Sequence, residues 1–412
     1  MKSIYKYSLL LLMALTIGAL WSSCTKDDSG KPFISYVRVT NPSSADSLLS
    51  GASLGQMLAI MGNNLGSTNQ VWFNDQKAQL ISTYVTNGTV LVRVPSTLPL
   101  NITNKLKLVF ANGSDLEYNF AVDVNKPTIS YVNCEYINDG DSLLIYGNYF
   151  FGDTSSIKVA FTGSNKTLVS AKLLSVTSDA VRLTVKVPTG TVPGPITVTN
   201  LYGKAVSGLW FRDNRNIILD FDNMSGSNGQ GVSNGALWHP AQGDWNRATS
   251  SASGIQSING NYLYNPFGAP GYGAWSWNEV WTGNQPAQEL DSLKNIPQEA
   301  FTNPGGYNLK FEVSTIGSLA GAYINIWIGN SIGSVSSRGP GSNLYEWQPN
   351  IDTKGKWQTV TIPWNQFNAY AVPTGSFVYN SNGYDISIVM QGGNHVAVQA
   401  FAIDNVRVVP NN

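Results

Sequence analysis

Lys31-Pro32-Phe33-Ile34-Ser35-Tyr36-Val37 recurs as Lys126-Pro127-Thr128-Ile129-Ser130-Tyr131-Val132. Further on, Ile60-Met61-Gly62-Asn63-Asn64-Leu65 recurs as Ile145-Tyr146-Gly147-Asn148-Tyr149-Phe150, and Arg93-Val94-Pro95 as Lys186-Val187-Pro188. The offset stays between 85 and 95 residues, the drift that loop insertions between matched strands produce. Short β runs separated by turn residues lie within each repeat. Leu106-Lys107-Leu108-Val109-Phe110 stops at Asn112-Gly113, and Ile196-Thr197-Val198-Thr199 stops at Asn200 to Gly203. Strands about every 8–12 residues predict a β-sandwich. Residues 32–124 and 125–212 are therefore expected to be tandem immunoglobulin-like sandwiches, with Trp72 and Tyr149 filling a core or a junction.

The composition limits what such a chain meets. It has 412 residues, 25 basic and 25 acidic, so its net charge is zero. Charged residues make up 12%, about half the ~25% usual in soluble domains. No electrostatic footprint for nucleic acid exists. An 11% aromatic content argues against a largely disordered chain. Ten of the twelve Trp lie from Trp210 onward, so the aromatic excess belongs to the last module. Strands are expected there over Tyr307 to Ser314, Ala322 to Gly329, Trp357 to Pro363, Tyr384 to Gln391 and Val396 to Val409. One helical turn is expected over Asp291 to Ile296. The whole reads as an all-β chain ending in a jelly roll at residues 213–412.

Strand alternation selects a candidate binding face. In Ala322 to Gly329, Ile324, Ile326 and Ile328 share the core side, which puts Tyr323, Asn325 and Trp327 opposite. Leu309, Phe311 and Val313 point inward from the preceding strand, leaving Asn308, Lys310 and Glu312 outward. Ile386, Ile388 and Met390 point inward from the late strand, leaving Asp385, Ser387 and Gln391. If these strands share a sheet, its open face joins aromatic rings to hydrogen-bonding side chains. A sugar ring needs that combination, with an apolar face to stack and a rim of hydroxyls to satisfy. Trp275 and Trp277, about 6.6 Å apart on one side of an extended segment, extend the set, as do Trp281 and Trp347. Trp357 and Trp364 read as structural, and Trp210 as a junction residue.

Other chemistry has little support. Asp220, Asp222 and Asp404 bracket the last module with oxygen ligands that suit a structural calcium. His239 and His395 are the only histidines and make no zinc site. A glycosidase needs two facing carboxylates; Glu279 is a candidate, with Glu312 or Glu346 second, but spacing pairs none of them. No nucleophile elbow, zinc-protease motif or P-loop is present. The expected protein is not an enzyme and requires no cofactor.

The N-terminus reads as an address. Lys2 and Lys6 precede an apolar run over Leu9 to Leu20, too short for a comfortable span. Trp21-Ser22-Ser23-Cys24 resembles a lipobox, with signal 1–23, lipidated Cys24 and tether 24–31. Thr25-Lys26-Asp27-Asp28 resembles the surface-export tag of Bacteroidetes lipoproteins. Cys134 then has no partner and reads as a small buried hydrophobe.

The Pro-x-Ile openings, Gly-Asn elements and Val-Pro strand ends resemble IPT/TIG domains. Gly355 to Pro363 and Phe401 to Val408 resemble late strands of jelly-roll carbohydrate-binding modules. The complete arrangement resembles the surface glycan-binding lipoproteins of Bacteroidetes polysaccharide utilisation loci, with a C-terminal xyloglucan-binding-type domain. The resemblance implies a lipid-anchored protein exposed on the outer membrane, capturing β-glucan-type chains, xyloglucan foremost. Its implied neighbours are surface glycosidases and a TonB-dependent transporter. A surface glycoside hydrolase and a protein-binding adhesin are the alternatives. If Cys24 carries the lipid, Cys24→Ala moves the protein from the membrane to the soluble fraction, as cell fractionation with immunoblotting will show.

Overall fold

A computed structural model describes residues 30–44, 46–222, 231–233, 236–240, 247–252, 254–265, 277–282, 296–320, 323–329, 345–370, 377–379, 385–391 and 400–411. The signal segment, Cys24, Trp275 and the expected turn over 291–295 lie outside them. The described architecture is all-β, as expected, with a few short helical turns such as Gln298–Thr302. Among the described residues no helix is long and apolar enough to cross a membrane. The chain divides into two compact units, residues 1–125 and 126–412.

In the first unit Phe33–Val39, Met57–Asn63 and Thr89–Arg93 form one sheet. Gln76–Lys77, Thr68–Phe73, Lys105–Phe110 and Asp115–Asn119 form the other. Leu58, Ile60, Phe73, Leu106 and Leu108 fill the core between them. In the second repeat the nine-residue strand Leu168–Val176 pairs with both Lys158–Thr162 and Arg182–Lys186, linking the two halves of its seven-stranded sheet. The repeats share an irregularity. The register shifts between Ile34 and Tyr36 against Met57–Asn63, and between Ile129 and Tyr131 against Ser142–Asn148. A β-bulge of this kind bends the strand and brings a carbonyl onto the partner. A Cβ at Gly62 would lie 2.1 Å from the Phe33 oxygen, and one at Gly147 would lie 1.8 Å from that of Thr128. Only glycine fits there, which explains the repeated Gly-Asn element. Neither Trp72 nor Tyr149 is buried in a core, one of the two places expected for them. Trp72 is half-buried on the side of its strand opposite buried Val71 and Phe73. Tyr149 is 38% exposed, in a left-handed conformation.

The C-terminal module is a sandwich of two larger sheets. The inner sheet runs Arg247–Thr249, Tyr262–Asn265, Phe401–Pro410, Tyr307–Thr315, Trp357–Pro363, with Ile217–Leu219 also on Phe401–Pro410. The outer sheet runs Gly231–Ser233, Ala236–Pro240, Trp277–Thr282, Asp385–Gln391, Tyr323–Gly329, Tyr345–Trp347. Leu309, Phe311, Val313, Ile326, Trp347, Trp364, Val406 and Val408 are buried in one core. The alternation read from 307–314 and from 322–329 is thus correct about which side faces inward at the described positions.

The far side of the inner sheet packs on the second repeat. Cys134, Tyr136, Ile255, Tyr262, Trp357 and Ala402 form the apolar part of this junction. Cys134 is fully buried, as expected, and its thiol donates to the Tyr136 carbonyl at 2.9 Å. Trp210 carries the Arg215 guanidinium 4.3 Å from its ring centroid. Beside these lies a buried charge network. Arg407, with no exposed surface, contacts Glu312 at 2.8 Å and Glu135 at 2.6 Å. Glu135 also pairs with Lys310 at 2.5 Å. Thr359 donates to Glu312 and accepts from the Glu135 amide. Burial pushes Glu312 upward, while Arg407 pulls it back. Removing one partner from a buried pair leaves its counter-charge without compensation, at about 3–5 kcal/mol. Arg407→Leu should lower the stability of the second unit by about that much; denaturant unfolding followed by Trp fluorescence will measure it.

Candidate functional site

The outer sheet brings together most of the residues read as sugar-binding. Trp277 pairs with Gln391, and Gln391 pairs on its other side with Tyr323. Four residues along each strand, Trp281 pairs with Ser387, and Ser387 with Trp327. Between these rows lies a third, Glu279, Val389, Asn325, continued to Glu346. Successive side chains alternate between faces, and directly opposed residues share a face. Buried Ile326 and Trp347 occupy the other face, in the registers Ile326↔Ile388 and Ile324↔Trp347. The three rows occupy the register positions that alternate with those of Ile326 and Trp347.

The dimensions follow from backbone spacing. Trp277 and Tyr323 are two strands apart, about 10 Å, and Trp277 and Trp281 are separated by about 13 Å along one strand. Four aromatic positions mark the corners of this patch. Gln391, Ser387, Glu279 and Asn325 stand on its edges, and Val389 stands at its centre. His239 pairs with Trp281 and adds a polar position to that row. Sequence reasoning set His239 aside as a lone histidine. Only the strand pairing, which is long-range, places it here.

Two expected members fall elsewhere. Glu312 is not on this face. Its strand, Tyr307–Thr315, belongs to the inner sheet, between Phe401–Pro410 and Trp357–Pro363. Its outward side chains meet the second repeat instead of solvent, and Glu312 is wholly buried against Arg407. Trp347 is not a platform residue either. It is 9% exposed and packs edge-on against Phe311, with centroids 5.1 Å apart. Trp357 and Trp364 are buried, as their structural reading required.

The calcium expectation finds no ligand cluster. Asp404 is buried, and burial raises its carboxyl well above the ordinary range, with Glu312, Asp222 and Asp220 near enough to add to the rise. Asp222 accepts the Asn261 amide at 2.6 Å, and Asp220 accepts the amide of Asp222 at 3.2 Å. Among the described residues no three His, Cys, Asp or Glu gather closely enough to hold a metal ion.

Residues 211–410 match the family model described as the surface glycan-binding protein B xyloglucan binding domain. An IPT/TIG domain-containing protein of Bacteroides ovatus is 33% identical over 162 residues, 37% of this chain. The matched part spans 33% of that relative's length. The crystal structure of surface glycan-binding protein PbSGBP-B from Prevotella bryantii matches with 24% identity and a TM-score of 0.62, covering 93% of this chain and 99% of that one. An SGBP-B from a complex xyloglucan utilization locus in Bacteroides uniformis is 17% identical, with a TM-score of 0.44 and coverage of 93% and 100%. Over residues 211–410 the family match bears out the expected resemblance to surface glycan-binding proteins, and the Prevotella structure shares the fold.

Because Trp347 fills the core, Trp347→Ala should cost about 3–5 kcal/mol of stability. Calorimetry will show the lowered Tm.

Proposed function

We propose that the chain is a non-catalytic receptor that holds a neutral β-glucan-type polysaccharide, xyloglucan foremost, on the outer sheet. The observation that carries this reading is the register of Trp277, Gln391 and Tyr323 with Trp281, Ser387 and Trp327. Rings at these positions stack on the C–H faces of successive sugar units, and Gln391, Asn325 and Glu279 meet their hydroxyls. The family description of residues 211–410 supports xyloglucan as the preferred ligand.

Catalysis is disfavoured by distance. Glu279 and Glu346 share a row but are three strands apart, about 14 Å. Glycosidase carboxyl pairs stand about 5–9.5 Å apart. Glu312, the third candidate, is locked into the domain junction. Lipidation at Cys24 would display the platform on the cell surface. Many copies on one surface strengthen capture of a long polymer through avidity, for delivery to neighbouring glycosidases and a TonB-dependent transporter.

Native affinity electrophoresis in gels containing xyloglucan tests the function, with mixed-linkage glucan and mannan as comparisons. The unaltered protein should be retarded by xyloglucan. Trp277→Ala combined with Trp327→Ala should abolish retardation with the fold intact. Retardation unchanged by the pair rules out this platform, and no retardation by any glycan rules out the function.

A further inference from the structure

The second unit contains a cleft that the platform does not use. It lies where the second repeat meets the inner sheet, on the opposite side of the C-terminal sandwich from the platform, with a volume of about 410 Å³. That is within the roughly 300–1,000 Å³ range of small-ligand sites.

Tyr131 lines the cleft. It is 55% exposed, although it is a large aromatic on a strand. Tyr146 stacks on one face of its ring, with centroids 4.5 Å apart and planes 9° from parallel. This fixes the ring and leaves the opposite face open.

The polar lining is balanced in charge. Arg215 pairs with Asp213 at 2.7 Å, and Lys310 pairs with Glu135 at 2.5 Å. Two cations and two anions cancel, so the site favours no net charge. The hydrogen-bond supply is not balanced in the same way. Both Glu135 oxygens are taken, one by Lys310 and one by Arg407. Both Asp213 oxygens are taken by Arg215. An ammonium has three donors. Among the described residues Lys310 uses one of them, on Glu135, although its side chain is only 10% exposed. Asn308 and Thr361 also line the cleft, and their side chains make no hydrogen bond to described residues. The cleft thus offers free donors, a neutral field and one pre-set aromatic face.

We propose that this cleft is a second saccharide site, taking one neutral sugar unit or side branch. The sugar stacks on Tyr131, and its hydroxyl oxygens accept from Lys310 and Asn308. The inference rests on the reading that this chain's ligands are neutral glycans, but it concerns a different surface. A polymer held at both places makes two contacts with one chain, which slows its release.

Isothermal titration of the full chain with a xyloglucan oligosaccharide of two repeating units tests it. The unaltered chain should bind two equivalents. Tyr131→Ala, an exposed truncation, and Thr361→Trp, which fills the cleft, should each reduce this to one. Trp277→Ala with Trp327→Ala should also leave one, lost on adding Tyr131→Ala. A single equivalent untouched by both cleft substitutions overturns the cleft and leaves the platform standing. A single equivalent lost through the cleft substitutions and kept by the tryptophan pair supports the cleft and overturns the platform. No binding by the unaltered chain overturns both.

Discussion

The ion network of Arg407, Glu312, Glu135 and Lys310 decides how the C-terminal module is used. It brings the outward side chains of the inner sheet together with one acid of the second repeat. Such a network adds little net stability over well-packed apolar side chains, because both signs pay for leaving water. Its effect is on specificity. Any other docking of repeat on sandwich leaves at least one of these charges buried and unpaired. The adjoining apolar cluster around Cys134, Tyr262 and Trp357 supplies cohesion without direction. The two contributions together hold one arrangement, with one face of the sandwich closed by the second repeat.

Much of this was legible in the sequence, and the boundary of legibility is physical. The repeats were visible because a bulge brings a carbonyl onto Gly62 and Gly147, and the same steric demand leaves the same residues twice. The strands around Phe311 and Ile326 were visible because apolar residues alternate along each in the sequence. Alternation reports which side of a strand faces the core. It does not report what covers the other side. Lys310 and Glu312 look like solvent residues by periodicity, yet a second domain lies over them. Sheet membership is equally hidden, since it depends on pairings between strands far apart in the chain. That is why Glu312 was grouped with Asn325, and why the row from His239 through Trp281 to Trp327 could not be assembled. Trp347 failed for a simpler reason. A short strand of three residues carries too little pattern to give its own orientation.

The low charge content now has a structural explanation. Several charges of the last module are placed inside it, as Lys310, Glu312, Asp404 and Arg407 are all buried. A polymer of neutral sugars gives a surface nothing to neutralise, and each ionised group on the contact face would have to be desolvated without a counter-charge. Aromatic and amide positions avoid that cost, and they dominate the three rows of the outer sheet. Charge therefore serves orientation at the junction, while aromatic positions recur along the strands of the other sheet. The sequence, neutral overall, is partitioned so that the parts needing precise mutual alignment carry the ions.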